Sequence, residues 1–538
     1  MPRLVLGPML RYVDATRATV WVETDRPCDV QVEVAGARAG QVLRPATRTF
    51  AVAGHHYGLV VVDGLAPGGA APYTVSLDGT SVWPGDGPPS VIATPLAGTR
   101  KARIAFGSCR VAAPLEDERH GVDALHALAL RLRAQPREQW PDLLLLVGDQ
   151  VYADLPSGEV EVEVVSFEEY AQLYRRSWSP PEVRWLLSTL PTAMIFDDHD
   201  VRDDWNTSAA WRREARAQPD WQKKITSALT AYWLYQHLGN LDPDQLATLP
   251  VLAEVRAAGD GEHALRRFAA EADAQADIEA VINTSDGEWA PRWSYQRDLG
   301  GSRLVVVDSR CGRVLRGERA MVGAREWAWV RRQSAGSFDH LLIATSLPYL
   351  LPPGVHHVEA WSEPVCAGRW GPRAAKFGER LRRKVDLEHW ASFGRSFSDM
   401  ADLVTEVGAS VHGPAPATIG LLSGDVHFSY LARVRGGRPA MTSTVYQAVC
   451  SPLRNPLEGR LRRMSAVSSW WGPAAVAALL PRLVGRRPPK LRWAIQGGLS
   501  FANTVALLDL DGRQAQLAWW EASRPDRLSL AATHHLTE

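Results

Sequence analysis

Along the first hundred residues, apolar side chains recur in short runs with alternating or β-branched character, and no helical period appears. RATVWVET (17–24), DVQVEVAG (29–36), YGLVVVDGL (57–65) and YTVSLDG (73–79) are such runs, separated by Gly, Pro and Asp. Their number and spacing predict an immunoglobulin- or fibronectin-like sandwich over residues 1–98, with 86–99 as the linker leaving it. From residue 101 the pattern changes. ARIAFGSCR (102–110) reads as a strand ending in Gly-Ser-Cys, and LLLLVGDQVYAD (143–154) opens on a solid apolar block, as a strand buried on both faces does. GVDALHALALRLRAQ (121–135) between them has helical periodicity, which predicts a βαβ unit. Helices are expected over 168–178 and near 185–190, then a strand in PTAMIFDDHDVRDDWN (191–206). Residues 208–285 read as a helix-rich excursion from the sheet. RLVVVDSR (303–310), HLLIATSLPY (340–349) and TIGLLSGDVHFSY (418–430) predict further strands, and 501–522 a hairpin around Asp511-Gly512. The expected fold class is α/β, mixed sheets flanked by helices over 99–538, behind an all-β N-terminal domain.

Composition narrows the function classes. Sixty basic and sixty acidic residues cancel in 538, so nothing global points to nucleic acid, and no nucleic-acid binding is expected. Five Cys, with no CxxC pair, do not make a disulfide framework. The first residues carry no long apolar stretch, cleavage site or twin-arginine pair, so a cytoplasmic location is expected. Residues 454–492 are locally basic, with nine basic residues against Glu458, and contain the apolar segment WWGPAAVAALLPRL. Peripheral membrane contact is one reading of that segment. A packed helix with solvated arginines is the preferred one, given its two prolines.

The chemistry stands at the strand ends. Cys109 follows IAFGS; Asp149 and Tyr152 stand in GDQVY; Asp197, Asp198, His199 and Asp200 form DDHD; Asp425 and His427 stand in GDVH. Parallel strands are expected to bring these clusters to one sheet edge, outside the carboxyl ends, where α/β sheets hold ligands. Taken singly, each has a plain structural reading: Cys109 as a small hydrophobe, Asp149 and Asp425 as turn caps, Tyr152 as core, Arg310 as a structural ion pair with Asp308 or another acid. His199 among four acids is hardest to explain that way, because acids so crowded repel unless a cation is present. Thiolate, phenolate, imidazole and several carboxylates together match two multivalent cations, an arrangement suited to phosphate ester hydrolysis.

The ordered blocks GDQVY, DDHD and GDVH resemble the metallophosphoesterase superfamily. Cys109 in the first block, Tyr152 in the second and Asp425 before VH are similar to the substitutions of the alkaline phosphatase D (PhoD-like) family. The resemblance implies a metallophosphoesterase-type sandwich behind a β-sandwich domain. It also implies hydrolysis of phosphate mono- or diesters by a metal-bridging hydroxide at a dinuclear site, with a small-molecule phosphoester as substrate. By position, Cys109, Asp149, Tyr152 and His427 would bind one metal, as ferric iron. Asp149, Asp198 and Asp425, with Asn206 as an extra oxygen ligand, would bind the second, where oxygen-rich ligation favours calcium, or magnesium or manganese. Ser346 stands where the superfamily places a further His. His199 would stabilise the transition state or protonate the leaving oxygen, Asp200 would orient its ring, and Arg310 would hold a substrate oxygen. Three rivals remain. A serine or cysteine hydrolase is disfavoured because no G-x-S-x-G elbow is present. The others are a non-catalytic ligand-binding protein on a phosphatase scaffold and a phosphodiesterase acting on membrane-associated substrates.

Overall fold

A computed structural model describes residues 1–114, 117–155, 163–282, 291–436, 440–457 and 471–537. The N-terminal strands form two sheets. One pairs Leu4–Val13, Arg17–Thr24, His55–Asp63 and Phe50–Val52; the other is built on Asp29–Ala35 and Ala70–Leu77. Val20, Val22, Val30, Val32 and Val75 fill the space between them. The outer face of the first sheet is buried as well. Met9, Trp21, Tyr57 and Leu59 belong to the main core of the molecule, which explains why Arg17–Thr24 is buried almost throughout rather than on alternate positions. Arg11, fully buried in that sheet, donates to the carbonyls of Thr192 (3.1 Å), Tyr235 (2.7 Å) and Gln236 (2.6 Å), fastening the sandwich to the larger α/β region.

The α/β region contains two mixed sheets, as expected. In the first, Thr192–Ile195, Leu143–Val147 and Lys101–Gly107 run parallel. Thr504–Asp511 then pairs antiparallel to Lys101–Gly107, followed by Gln514–Arg524 and Arg527–His535, so the expected hairpin at Asp511-Gly512 is present. In the second sheet Ser302–Val306, His340–Ala344, Thr418–Ser423 and Thr444–Val449 run parallel, edged by antiparallel strands. The period-two rule of a strand sets the packing. Leu304, Val306, Leu342, Ala344 and Leu422 face the first sheet, whereas Val305, Val307, Leu341, Ile343 and Leu421 face a layer that includes Val330 and Phe397. Those last two belong to the helices Ala324–Ser334 and Gly394–Gly408. All five side chains of Leu143–Val147 are buried, each stabilising by roughly 1.5–3 kcal/mol relative to exposure.

The excursion is helical from Ala209–Arg216 to Glu262–Ile282; its expected end at 283–285 lies outside the described residues. It includes a π-helical turn, Trp233–His237. Of the basic segment 454–492, residues 458–470 also lie outside the described residues. Within the rest, Trp471–Ala477 and Leu480–Leu483 pack on the helix Pro353–Cys366. Among the described residues no helix is long and apolar enough to cross a membrane.

Candidate metal centre

The strand ends predicted from the sequence do converge, but from two sheets. Cys109, Asp149, Asp197 and Asp198 follow the strands of the first sheet, while Asp425 and His427 follow Thr418–Ser423 in the second. The expectation of a single sheet edge is therefore corrected: apolar periodicity identifies a buried strand without saying which sheet it joins. The two edges meet closely. A Cβ on Gly148 would lie 3.1 Å from Cβ of Ser346 across the junction, and one on Gly424 would clash with Oγ of Ser108.

Three groups of donor atoms form there, the atoms of each within 4.8 Å of one another: Cys109, Asp149 and His427; Asp149, Asp198 and His199; and Asp149, Asp197, Asp198 and Asp425. Asp149 belongs to all three. Its Oδ2 lies 3.3 Å from Cys109 Sγ and 3.5 Å from the Tyr152 hydroxyl. His427 Nδ1 donates to the Asn455 carbonyl at 2.8 Å, which leaves Nε2 as the lone-pair atom of a neutral ring, the orientation a metal-binding His takes. Asn455 also donates from Nδ2 to the Tyr152 hydroxyl at 2.9 Å.

The backbone is arranged around these donors. Cys109, Asp149, Asn206, Asp425 and His427 have φ of 58°, 54°, 61°, 67° and 56°, in the left-handed region that residues with a Cβ seldom occupy. Such conformations cost of order 1 kcal/mol each and persist where the surroundings over-determine them.

Electrostatics and satisfaction together test whether cations fit. Oδ1 of Asp149, Oδ1 of Asp198, Oδ2 of Asp197 and Oδ1 of Asn206 are buried and have no hydrogen-bond partner. Burial pushes the Asp149 carboxyl well above the carboxylate range, and Asp198, Asp200 and Asp425 add to the push against His199. Burial likewise raises Asp198 to about 7 in spite of Arg310. The Cys109 thiol is driven well up by burial and by Asp149 and Asp425, and the Tyr152 phenol by burial and by Cys109 and Asp149. Anions this crowded are uphill by themselves, and unpartnered buried oxygens are costly. Multivalent cations relieve both penalties, so the donor set fits metal.

Two assigned roles are corrected. Asp200 does not orient His199. Its Oδ2 accepts from the backbone N–H of Asp149 and of Asp197 (both 3.0 Å), and its Oδ1 accepts from Gln236 Nε2 (3.1 Å), so it braces the loops that carry the ligands. Asp154 holds the imidazole instead, 2.9 Å from Nδ1. Arg310 does not face a substrate. Its side chain is fully buried, bonded to Asp197 and to Glu388 (2.7 Å) and 3.2 Å from Asp198, so it is a fixed positive charge behind the carboxylates. The structural ion pair expected with Asp308 or another acid is made with Asp197 and Glu388, while Asp308 caps the backbone N–H groups of Arg310, Cys311 and Gly312. Ser346 bonds Ser309 at 2.9 Å. Asn206 lies with its Oδ1 unpartnered and its Nδ2 on the Arg310 carbonyl.

Several participants were missed. His389 places Nε2 2.9 Å from Asp425 Oδ2 and Nδ1 2.6 Å from Glu359. With Arg310 and His427 it keeps the Asp425 carboxyl below its ordinary range although burial alone would raise it. Glu388 pairs with Arg310 and Arg313. Neither residue ends an apolar strand. Asp154 did have a signal, since it closes the GDQVYAD stretch only five residues after Asp149.

This architecture, two mixed sheets with acidic and His-bearing loops at their joined edge, is that of a metallophosphoesterase. Residues 129–261 match the family described as PhoD-like phosphatase, and residues 1–94 match a domain of unknown function, DUF7800. The family match over residues 129–261 and the shared fold support a metal-dependent phosphoester hydrolase of the PhoD-like type. Among solved structures the chain is similar to PhoD, with 12% identity, a TM-score of 0.62, and coverage of 99% of this chain and 91% of the other. It is also similar to the purple acid phosphatase PPD1 from yellow lupin (Lupinus luteus) seeds, with 11% identity, a TM-score of 0.52, and coverage of 100% and 74%. At these identities the likeness concerns the fold. No curated protein sequence matches the chain.

Proposed function

We propose that the centre is dinuclear and hydrolyses phosphate monoesters, diesters or both. The carrying observation is Asp149, the one residue common to all three donor groups, which stands between a thiolate–phenolate–imidazole side and a carboxylate side. Cys109, Tyr152 and His427 with Asp149 would hold ferric iron; Asp149, Asp198 and Asp425, with Asp197 and Asn206 beside them, would hold calcium, or magnesium or manganese. When bound, such a pair activates water and screens the phosphoryl oxygens. The protein's own groups do the rest. Arg310 keeps the carboxylates together in the absence of solvent. His199, its Nδ1 fixed by Asp154 and its ring 4.6 Å from that of Tyr152, presents Nε2 to donate to the leaving oxygen.

Elemental mass spectrometry of protein purified without chelator tests this reading, together with hydrolysis rates on a monoester and a diester. Near-stoichiometric iron with a second divalent ion is expected. Protein that holds no metal and takes none up on reconstitution would leave a ligand-binding scaffold as the better account.

A second reading is favoured by one observation. Val476, Leu479 and Leu483 are 69%, 52% and 65% exposed beside Arg482, Arg486 and Arg487. This surface supports peripheral contact with an anionic membrane and a diester substrate in it. Sedimentation with anionic and with neutral vesicles separates the readings: no difference between the two removes the membrane.

A further inference from the structure

Away from the carboxylate cluster, a cavity of about 590 Å³ opens between the helix Ala209–Arg216, the 315–319 loop and the helices Pro353–Cys366 and Pro372–Lys384. Its wall carries six basic residues, Arg213, Arg319, Lys376, Arg380, Arg382 and Arg383. Three acids also line it, and each is engaged. Glu214 and Glu379 hold Arg383 (2.5 and 3.1 Å), and Glu363 pairs with Arg486 and accepts from the Gly394 N–H.

Two of the arginines are incompletely satisfied. Arg382 is 2% exposed; its Nη1 reaches Glu379 at 3.2 Å, but Nε and Nη2 have no hydrogen-bond partner. Arg319 lies with its guanidinium 4.3 Å from the Phe393 ring centroid and donates from Nη2 to the Thr207 carbonyl at 2.9 Å, leaving Nε and Nη1 buried and unpartnered. Burial presses the Arg319 guanidinium down to about 9, and the charge of Arg382 presses the same way. A buried guanidinium keeps its proton and therefore demands an anion. Two forks with two open N–H groups each match several acceptor oxygens of one tetrahedral anion.

We propose that this cavity is an oxyanion site, distinct from the metal centre, which takes a phosphate-class dianion between Arg319 and Arg382. It shares a loop with that centre: Thr207, whose carbonyl Arg319 holds, follows Asn206, and Ser208 bonds Glu379. The anion is either a second phosphoryl group of the substrate or a free phosphate, and the chemistry of recognition is the same.

Isothermal titration of the metal-loaded protein with inorganic phosphate is expected to resolve two sites. Asp149→Asn removes one and leaves the other, whereas Arg382→Gln weakens the second by about tenfold or more. Arg380→Glu, at the exposed rim where folding is not at risk, weakens the same site severalfold. A single site that disappears in Asp149→Asn overturns the proposal, as does a second site indifferent to both arginine changes. Two sites in a protein that hydrolyses no phosphoester would uphold the cavity and overturn the phosphatase reading instead. A linear diol bisphosphate compared with its monophosphate identifies the source. A lower KM for the bisphosphate, erased by Arg382→Gln, assigns the cavity to the substrate's second phosphate; equal KM values assign it to free phosphate.

Discussion

The carboxylate of Asp154 lies 2.9 Å from Nδ1 of His199, and the same Oδ2 accepts the backbone N–H of Asp203 at 2.7 Å. The acid thus fixes both the ring and the loop that follows it. Asp154→Asn is expected to lower kcat by about 10–100-fold while metal content stays at the wild-type level. Rates and elemental analysis on one preparation check this, and loss of metal together with activity would mean that Asp154 acts on the ligands rather than on His199.

Changes at Asp149 and Cys109 test whether the proposed metal positions are two. Because Asp149 serves every donor group, Asp149→Asn is expected to empty both. Cys109→Ser removes the thiolate from one side only, so iron should fall while the divalent ion remains. Equal loss of both metals in Cys109→Ser would argue against two distinct positions.

Arg310 is the guanidinium that pairs with both Asp197 and Asp198. Arg310→Met leaves Asp197 and Asp198 buried beside each other without their cation. A loss of roughly 3–5 kcal/mol in unfolding free energy is expected, measured by urea denaturation. A lysine at this position should recover little of it, since one ammonium cannot reach Asp197, Asp198 and Glu388 together.

The N-terminal sandwich braces the site through a short relay. Arg11 holds the Gln236 carbonyl, Gln236 holds Asp200, and Asp200 holds the N–H groups of Asp149 and Asp197. Arg11→Met is expected to lower the melting temperature and to weaken metal retention during dialysis against a chelator. Unchanged retention at a lowered melting temperature would confine Arg11 to docking the sandwich.

Acid should destabilise the fold through buried imidazoles. His356 is packed against Phe397 and Trp493, and burial, with His357 adding, lowers it to about 3. In the unfolded chain it protonates near 6.5. Between those values the unfolded state binds the extra proton, so stability is lost as pH falls below about 6.5, by up to ~1.4 kcal/mol per unit. His356→Phe should flatten that slope in urea midpoints taken at pH 7 and pH 5; an identical slope would remove His356 from the account.

Much of the candidate site was legible because its candidate donors obey a local rule. Cys109, Asp149, Asp198, Asp425 and His427 each stand within four residues of the end of an apolar strand, and such a strand is read from its apolar block. What lay beyond local pattern was pairing across distance. Nothing in LLLLV and TIGLLS distinguishes two sheets from one, since both are buried on both faces. His389 sits in a loop of no regular period, and its bond to Asp425 spans 36 positions. The exchange of Asp200 for Asp154 has a similar origin: adjacency in sequence favoured Asp200, but its carboxylate turns inward to the N–H groups of two strand ends.

The strand that flanks Lys101–Gly107 on one side comes from residues 504–511. A ribosome therefore releases the first of these strands with that edge bare, and about 400 further residues must be synthesised before its neighbour emerges. At roughly 5–20 residues per second the wait is on the order of 20–80 seconds. Through that interval a ribbon that is apolar from Ile104 to Gly107 offers unpaired N–H and C=O groups, the template on which chains join one another.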